Sequence, residues 1–167
     1  MSGGSILYAV HNGTWVLRLS GDVRAPWCAS LDALLERMFD DSVIVGVVVD
    51  LREATNIDST ILGLLAKIAV RSREKLNRKP VLIAPNPDIR RLLDSMCMEN
   101  VFRIADDAVG GGYECTELPA VDRPEAEVCR QIADAHRVLM DIDDRNRAVF
   151  HDVVATLEDQ QRTANGR

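Results

Sequence analysis

The chain has no long hydrophobic run, since its longest uninterrupted apolar stretch covers only residues 43–49. A helix that crosses a bilayer needs about 20 apolar residues, so membrane insertion is not expected. No basic residue precedes Arg18, which argues against the charged start of a secretory signal peptide. These absences predict a cytoplasmic protein.

Aromatic residues are scarce, at 4% of the chain, and 26 acidic residues outnumber 20 basic ones. The net charge is −6 and no basic stripe is interleaved with aromatics, so nucleic-acid binding is not expected. Hydrophobic residues nevertheless make up 47% of the 167 residues, which excludes a wholly disordered chain. Length and composition together predict one compact domain with a small addition.

The sequence also lacks the spacings that mark metal sites, disulfide frameworks and serine hydrolases. The four cysteines show no CxxC spacing and are expected to be reduced: Cys28, Cys97, Cys115 and Cys129. There is no Gly-x-Ser-x-Gly elbow, and the candidate general bases fall in a predicted turn or in the C-terminal part: His11, His136 and His151. We therefore expect no metal, no cofactor, no catalytic residue and no enzymatic activity.

Hydrophobic periodicity predicts alternating strands and helices over the first two thirds of the chain. The strands are expected at residues 6–10, 14–19, 46–51, 81–84 and 101–104. The helices are expected after Pro26, from Ser59 to about Leu76, and from Pro87. The order β-β-α-β-α-β-α-β predicts an α/β fold, a mixed β-sheet covered by α-helices.

Local signals place the turns and the central strand. The Asn12-Gly13 pair tolerates the positive φ angles of a hairpin turn, and residues 20–22 close this unit. The run 46–51 is too continuous for a half-exposed strand and is therefore expected to be the central one. Residues 50–56 are expected to form a loop that leads to the helix capped by Asp58.

The C-terminal part of the chain changes in character after a first domain at residues 1–108. Residues 109–123 are expected to form a linker, flexible at its three glycines (110–112), or an edge strand. Residues 124–162 are expected to form two helices, the second capped by Asp143. Their apolar stripes are Val128, Ile132, Ala135 and Leu139, then Val149, Phe150, Val153 and Leu157. About 40 residues cannot bury both stripes alone, so the helices pack on the first domain, on a second copy in a homodimer, or on a partner.

The helix that begins at Ser59 carries the most informative surface. At roughly 100° per residue, an outward stripe of mostly small residues opposes the apolar one. The outward stripe consists of Ser59, Gly63, Ala66, Val70 and Arg73, and the apolar one of Ile61, Leu64, Leu65 and Ile68. Small residues let another surface approach the backbone closely. The positive end of the helix favours an anion at Ser59, so a phosphate there would change the docking surface without unfolding the domain.

The residues around Ser59 resemble the STAS-domain anti-sigma factor antagonists. The signature of that family, Asp-Ser-(Ser or Thr)-Gly-Leu-Gly at a strand-to-helix junction, here reads Asp-Ser-Thr-Ile-Leu-Gly at residues 58–63. Residues 5–107 share the order of elements, including Ser20-Gly21-Asp22 after the second strand. The resemblance implies a STAS-like fold with a C-terminal α-helical extension, as in longer proteobacterial members.

The resemblance further implies partner switching, with Ser59 preferred over Thr60 as the phosphoacceptor. In the family, the unphosphorylated form binds an anti-sigma factor, often itself a serine kinase, and phosphorylation breaks the complex. The expected partner here is an anti-sigma factor or a response regulator with serine kinase and phosphatase activities. The expected partner-binding residues are Asp22, Asp58, Ser59, Thr60, Gly63, Ala66 and Val70.

Two positions depart from the family pattern. Ile61 replaces the first glycine of the signature, and Arg24 stands where an acidic residue often follows Asp22. Neither change removes the phosphoacceptor, but both fall where a partner would touch or a helix would start. An alternative keeps the fold and makes the chain a constitutive subunit of a transporter-associated or stressosome-like complex, in which Ser59 is not phosphorylated.

Overall fold

A computed structural model describes residues 3–107 and 113–166 of the chain. The strands are β1 (Ser5–His11), β2 (Thr14–Val23), β3 (Gly46–Asp50), β4 (Ala54–Ile57), β5 (Val81–Ile83), β6 (Arg103–Ala105) and β7 (Thr116–Glu117). The α-helices are α1 (Cys28–Asp40), α2 (Ser59–Leu76), α3 (Pro87–Ser95), α4 (Glu125–Ile142) and α5 (Asp144–Asn165). Short 3-10 helices lie at Ala25–Trp27 and Met98–Asn100. The predicted α/β fold with C-terminal helices is confirmed.

The strands form one mixed sheet in the order β6-β5-β3-β2-β1-β7. β1 pairs antiparallel with β2 and β7, whereas the pairs β2–β3, β3–β5 and β5–β6 are parallel. Parallel neighbours need crossover connections, and α1, α2 and α3 lie in these connections. The hairpin turn between β1 and β2 is confirmed, since Asn12 and Gly13 have φ angles of 50° and 84°.

The expectation of a loop over residues 50–56 is wrong for its second half. Residues Ala54–Ile57 form β4, which pairs in parallel with the end of β2. β2 consequently runs to Val23 instead of ending at residue 19, with a register shift between Gly21 and Asp22. Two consecutive polar residues, 55 and 56, are exposed in β4, so its sequence lacks the apolar alternation that would indicate a strand.

β3 occupies the central position that the sequence predicts, between β2 and β5. Its burial alternates, however, because Val47 and Val49 are buried whereas Val48 is half-buried. The expectation of continuous burial is therefore wrong, and only one face of this strand is fully covered.

α2 begins and ends where the sequence predicts. Asp58 is its N-cap, and Asn77 ends it in the left-handed conformation with a φ angle of 54°. The inner stripe is at most 1% exposed and belongs to the main core: Ile61, Leu64, Leu65 and Ile68.

The two predicted C-terminal helices are present, and Asp143 caps the second by accepting a hydrogen bond from the Arg145 amide at 2.9 Å. The Arg145 side chain and amide lower the pKa of Asp143 to about 2. Upstream, β7 adds an edge strand beside β1 over Thr116–Glu117. The flexible linker predicted at residues 110–112 lies outside the described residues.

The apolar stripes of these helices are partly corrected. In α4, Ala135 and Leu139 are buried as predicted, together with Ala133 and His136, while Val128 and Ile132 are half-buried. In α5, Phe150 is buried, but Val149 and Val153 are 58% and 42% exposed. The buried face instead runs through Asn146, Phe150 and Val154, and Leu157 is half-buried.

Asn146 sets the rotation of α5. Its side-chain amide donates hydrogen bonds to the carbonyl oxygens of Met96 and Leu139, both at 2.9 Å. A buried amide with two partners costs less than one without them, so this polar residue faces inward and turns Val149 outward.

Of the three surfaces left open for the C-terminal helices, the structure uses the first domain of the same chain. α4 packs along α2 and also contacts α1, and α5 packs on α4. Polar contacts hold this packing at the edges: the Val121 amide donates to Ser30 Oγ at 2.9 Å, and Gln131 Nε2 donates to Asp32 Oδ2 at 3.2 Å. The sheet, the α1–α2 pair and the α4–α5 hairpin thus stack as three successive layers.

Within residues 3–107 and 113–166, no helix is long and apolar enough to span a bilayer. The four cysteines are free, with Cys28 and Cys97 buried and the other two half-buried.

A buried carboxylate that sequence reasoning did not single out ends the central strand. Asp50 is 2% exposed and accepts hydrogen bonds from the Arg52 side chain, the shortest at 2.8 Å, and from the Arg52 amide at 3.0 Å. Arg18 Nε lies 3.5 Å from the same carboxylate. Burial raises the pKa of Asp50, but the hydrogen bonds from Arg52 and the charges of both arginines outweigh it, so the pKa lies below its usual value.

We predict that Asp50→Asn lowers the free energy of unfolding by about 2 kcal/mol at pH 7, because a charged, buried hydrogen-bond acceptor is lost. Since the pKa of Asp50 is lowered by folding, its contribution is present above the unfolded pKa of about 4 and disappears as the pH falls through the folded pKa. Urea unfolding at pH 7 and near pH 3 measures this difference. Asp40→Asn removes a carboxylate at an exposed position and should change stability by no more than about 0.5 kcal/mol at either pH.

Candidate phosphoacceptor and docking site

Asp58 fixes the start of α2 with both of its carboxylate oxygens. Oδ1 accepts a hydrogen bond from the Ile61 amide at 3.0 Å, which is the ordinary N-cap contact. Oδ2 accepts a hydrogen bond from the Ala25 amide at 2.6 Å, at the start of the segment that leads into α1. The carboxylate therefore joins the beginnings of two helices, and Ser59 follows it as the first residue of α2.

Ser59 is half-buried and contacts the C-terminal part of the chain. Its Oγ lies 2.9 Å from Nε2 of His136 in α4. Nδ1 of the same ring lies 2.8 Å from the Ile132 carbonyl oxygen, which only accepts, so Nδ1 carries a hydrogen. In the neutral imidazole Nε2 is then the acceptor, and the Ser59 hydroxyl donates to it.

The His136 ring is held from a third side by α5. Its centroid lies 5.1 Å from that of Phe150 in an edge-to-face arrangement, and the residue is 4% exposed. The sequence offers His136 only as one of three candidate general bases, in the C-terminal part of the chain. His136 lies 77 positions after Ser59, and no local signal predicts this contact because it depends on how the α4–α5 hairpin packs.

The stripe predicted to face outward is mostly covered. Gly63 is buried and Ala66 is 0% exposed, while Ser59 and Val70 are half-buried, so the expectation of an open surface is wrong for the middle of the stripe. The physical reason is the close approach of α4. A Cβ atom added at Gly63 would lie 2.3 Å from the Ala135 carbonyl oxygen and 2.6 Å from its carbon.

The other expected site residues lie around the start of α2. Thr60 is 5% exposed, which disfavours it as a phosphoacceptor relative to Ser59. Arg24 donates from Nε to both oxygens of Asp22, at 2.8 and 2.9 Å, and Asp22 raises the pKa of Arg24. The arginine that departs from the family pattern therefore neutralises the preceding aspartate at the surface.

Ile61, the second departure, does not reach the surface. Its side chain is 0% exposed and packs in the main core, while its amide donates a hydrogen bond to the Asp58 carboxylate. Replacing the family glycine by this inward-facing isoleucine therefore changes the packing beneath α2 and does not alter the stripe around Ser59. The concern that Ile61 would meet a partner is thus not supported by its position.

Two further features bear on the chemistry near the site: the Cys28 thiol and the possible clustering of metal ligands. Burial, with the nearby charges of Asp32 and Asp58, raises the pKa of the Cys28 thiol to about 12, so it stays protonated. In the part of the chain that the structure describes, no cluster of three or more His, Cys, Asp or Glu residues could hold a metal ion.

The Ser59–His136 pair has the first two groups of a nucleophilic triad. The imidazole is oriented by a backbone carbonyl instead of a carboxylate, and it lies within the interface of α2 with α4. The hairpin thus occupies the space that a substrate would need beside Ser59 Oγ.

Comparison with known proteins gives a family and a fold. The STAS domain family matches residues 5–109. Among curated proteins, none matches the chain. A solved structure of the anti-sigma factor antagonist SpoIIAA in its unphosphorylated form is similar, with a TM-score of 0.51, 18% identity, and coverage of 62% of this chain and 89% of that chain.

A structure of SpoIIAA, described as a Bacillus cell fate determinant, in the phosphorylated form gives a TM-score of 0.49 and 18% identity, covering 62% of this chain and 92% of that chain. At such identity the unphosphorylated SpoIIAA structure supports the fold, whereas membership rests on the sequence match. That match includes Asp58 and Ser59 and ends before α4 and α5. The chain belongs to the STAS domain family.

Proposed function

We propose that this protein is an anti-sigma factor antagonist that acts by partner switching and is switched by phosphorylation of Ser59. The observation that carries the proposal is the position of Ser59, directly after the Asp58 N-cap and at the first turn of α2, in a STAS domain. The similarity of the fold to an anti-sigma factor antagonist supports the same function. The protein is then a cytoplasmic regulator of transcription without a catalytic site or cofactor of its own.

Phosphorylation at this position acts on the surface of α2 and not on its core. A phosphoserine adds a charge of about −1.5 to −2, which the positive end of the helix tolerates. The residues that hold α2 on the sheet, such as Ile61 and Leu65, are 0% exposed and lie away from Ser59. The fold therefore survives the modification while the docking surface changes its charge.

The proposed docking surface consists of Asp22, Asp58, Ser59, Thr60, Gly63, Ala66 and Val70. Its centre is Gly63, which has no side chain, and Ala66, whose side chain is small, so a helix can approach the backbone of α2 as α4 already does. A partner helix that packs there passes over Ser59, so a phosphate repels it sterically and electrostatically. The partner is an anti-sigma factor or a serine kinase–phosphatase response regulator, and it binds the unphosphorylated form.

We predict that Ser59→Ala retains the partner whereas Ser59→Asp weakens its binding at least about tenfold, because a carboxylate places a desolvated charge in the interface. Tagged wild-type and variant chains are recovered from the native host, the bound proteins and the phosphosites are identified by mass spectrometry, and the recovered partner is titrated by calorimetry. Ser42→Asp introduces the same charge at an exposed turn and serves as the control.

Equal binding of Ser59→Ala and Ser59→Asp would contradict the switch. An unmodified Ser59 under several growth conditions, together with a stoichiometric complex, would instead favour a constitutive STAS subunit of a larger assembly.

A further inference from the structure

The face of α2 that carries Ser59 is covered by this chain itself. α4 runs along it, with Ala135 against Gly63 and His136 against Ser59. The contact at Gly63 is so close that the α4 backbone fills the space that a side chain at position 63 would occupy. The closed structure therefore presents the centre of the proposed docking surface, Gly63 and Ala66, to its own C-terminal hairpin and not to solvent.

The Ser59 hydroxyl is engaged in this closed form. It donates its hydrogen to His136 Nε2 at 2.9 Å, and the imidazole is fixed by the Ile132 carbonyl and by Phe150. A kinase has to bring the phosphoryl donor in line with Oγ and needs room for three phosphate oxygens. His136, which is 4% exposed, occupies the adjoining space, so the hairpin and a phosphate compete for it.

We propose that the α4–α5 hairpin is an intramolecular cap, which must leave α2 before Ser59 meets a kinase or the docking surface meets a partner. This proposal depends on the proposed function only for the nature of the partner. That the hairpin covers Ser59 follows from the contacts of α4 alone. Partner binding and cap closure are then mutually exclusive, and the cap sets the fraction of molecules that are competent to bind.

The construction of the hairpin favours its movement as a unit. Phe150 and Val154 are buried on the face of α5 towards α4, and Arg137 of α4 forms an ion pair with Glu158 of α5 at 2.7 Å. The interface between the hairpin and the first domain is partly polar, and not all of its hydrogen-bonding groups have a partner. Gln131 donates to Asp32 at 3.2 Å, but its own Oε1 is buried and has no hydrogen-bond partner among the described residues.

The opposite end of the hairpin is also held by hydrogen bonds that water can replace. Asn100 Nδ2 donates to the Ile142 carbonyl at 3.2 Å and to the Asp143 carboxylate at 3.3 Å. The Asn146 amide reaches the Met96 carbonyl at 2.9 Å. These contacts orient the closed hairpin, and each of them has an exposed or half-buried partner.

Hydrogen exchange of the full-length chain, read by mass spectrometry, tests the cap without any partner. Phosphoserine incorporated at position 59 and, separately, Gly63→Ala should each raise the exchange rates of amides 128–140 at least about tenfold, while β3 and α1 keep their protection. Gly63→Ala adds only a methyl group that collides with the α4 backbone.

Two matched controls accompany these variants. Gly46→Ala adds the same methyl group where the nearest atom is 3.8 Å away, and phosphoserine at the exposed position 42 adds the same charge elsewhere. Neither should alter exchange in α4. Unchanged protection of α4 with phosphoserine at position 59 would overturn the cap, and so would a loss of protection that spreads equally over β3 and α1, because the hairpin would then be an inseparable part of the domain.

Affinity for the partner recovered from the native host gives a second, independent prediction. Ala135→Leu enlarges a 0% exposed side chain that faces α2 and lies outside the docking surface, so it should open the cap and tighten binding about tenfold. Ala126→Leu makes the same change at an exposed position of α4 and should bind like the wild type.

Equal affinities of Ala135→Leu and the wild type would refute competition by the cap while leaving the proposed function intact. If no variant binds an anti-sigma factor or kinase, the proposed function fails, and the exchange result alone decides whether the hairpin is a cap.

Discussion

The site depends on one carboxylate. Asp58 caps α2 through one oxygen and accepts from the Ala25 amide through the other, so it ties the beginning of α2 to the 3-10 helix that precedes α1. The N-cap contact starts the helix, and the buried Ile61 and Leu62 pack its first turn into the core. The second contact ties this turn to the segment before α1, and Ser59, the next residue, lies beside that link.

The absence of a side chain at Gly63 serves two requirements at once. A partner helix can approach α2 closely only if the centre of the stripe carries no bulk, and the same gap admits the α4 backbone. Under the proposed function, the gap that admits a partner also gives the hairpin of the same chain its place. Intramolecular binding needs few contacts to compete, since the hairpin is tethered and its effective concentration is high.

Local patterns in the sequence account for α1 to α3, the hairpin turn and both C-terminal helices. Each of these depends on residues that are neighbours along the chain, such as Asp58 and Ile61 in the cap of α2. β4 was not predicted, because its middle residues are polar and exposed and its pairing with β2 is not local. The inward face of α5 was assigned wrongly for a related reason: Asn146 is buried by two distant carbonyl partners, which outweighs the burial of Val149 and Val153.

The site was predictable only in part for the same physical reason. The Asp-Ser step and the small stripe are local features, and both lie where the sequence places them. Their exposure is not local, since it is set by the packing of α4, and helix periodicity states which face is apolar but not which surface it meets. The consequence is quantitative: every 1.4 kcal/mol by which the closed hairpin is favoured over the open one lowers the apparent partner affinity tenfold. The interface of the hairpin with the first domain combines apolar contacts of Ala135, Leu139 and Phe150 with a part-buried Ser59–His136 hydrogen bond and an unsatisfied Gln131 oxygen, and these polar groups keep the preference smaller than a fully apolar interface would. In the proposed switch, the hairpin stays closed without a partner and opens for one, and the polar contacts of its interface meet both requirements.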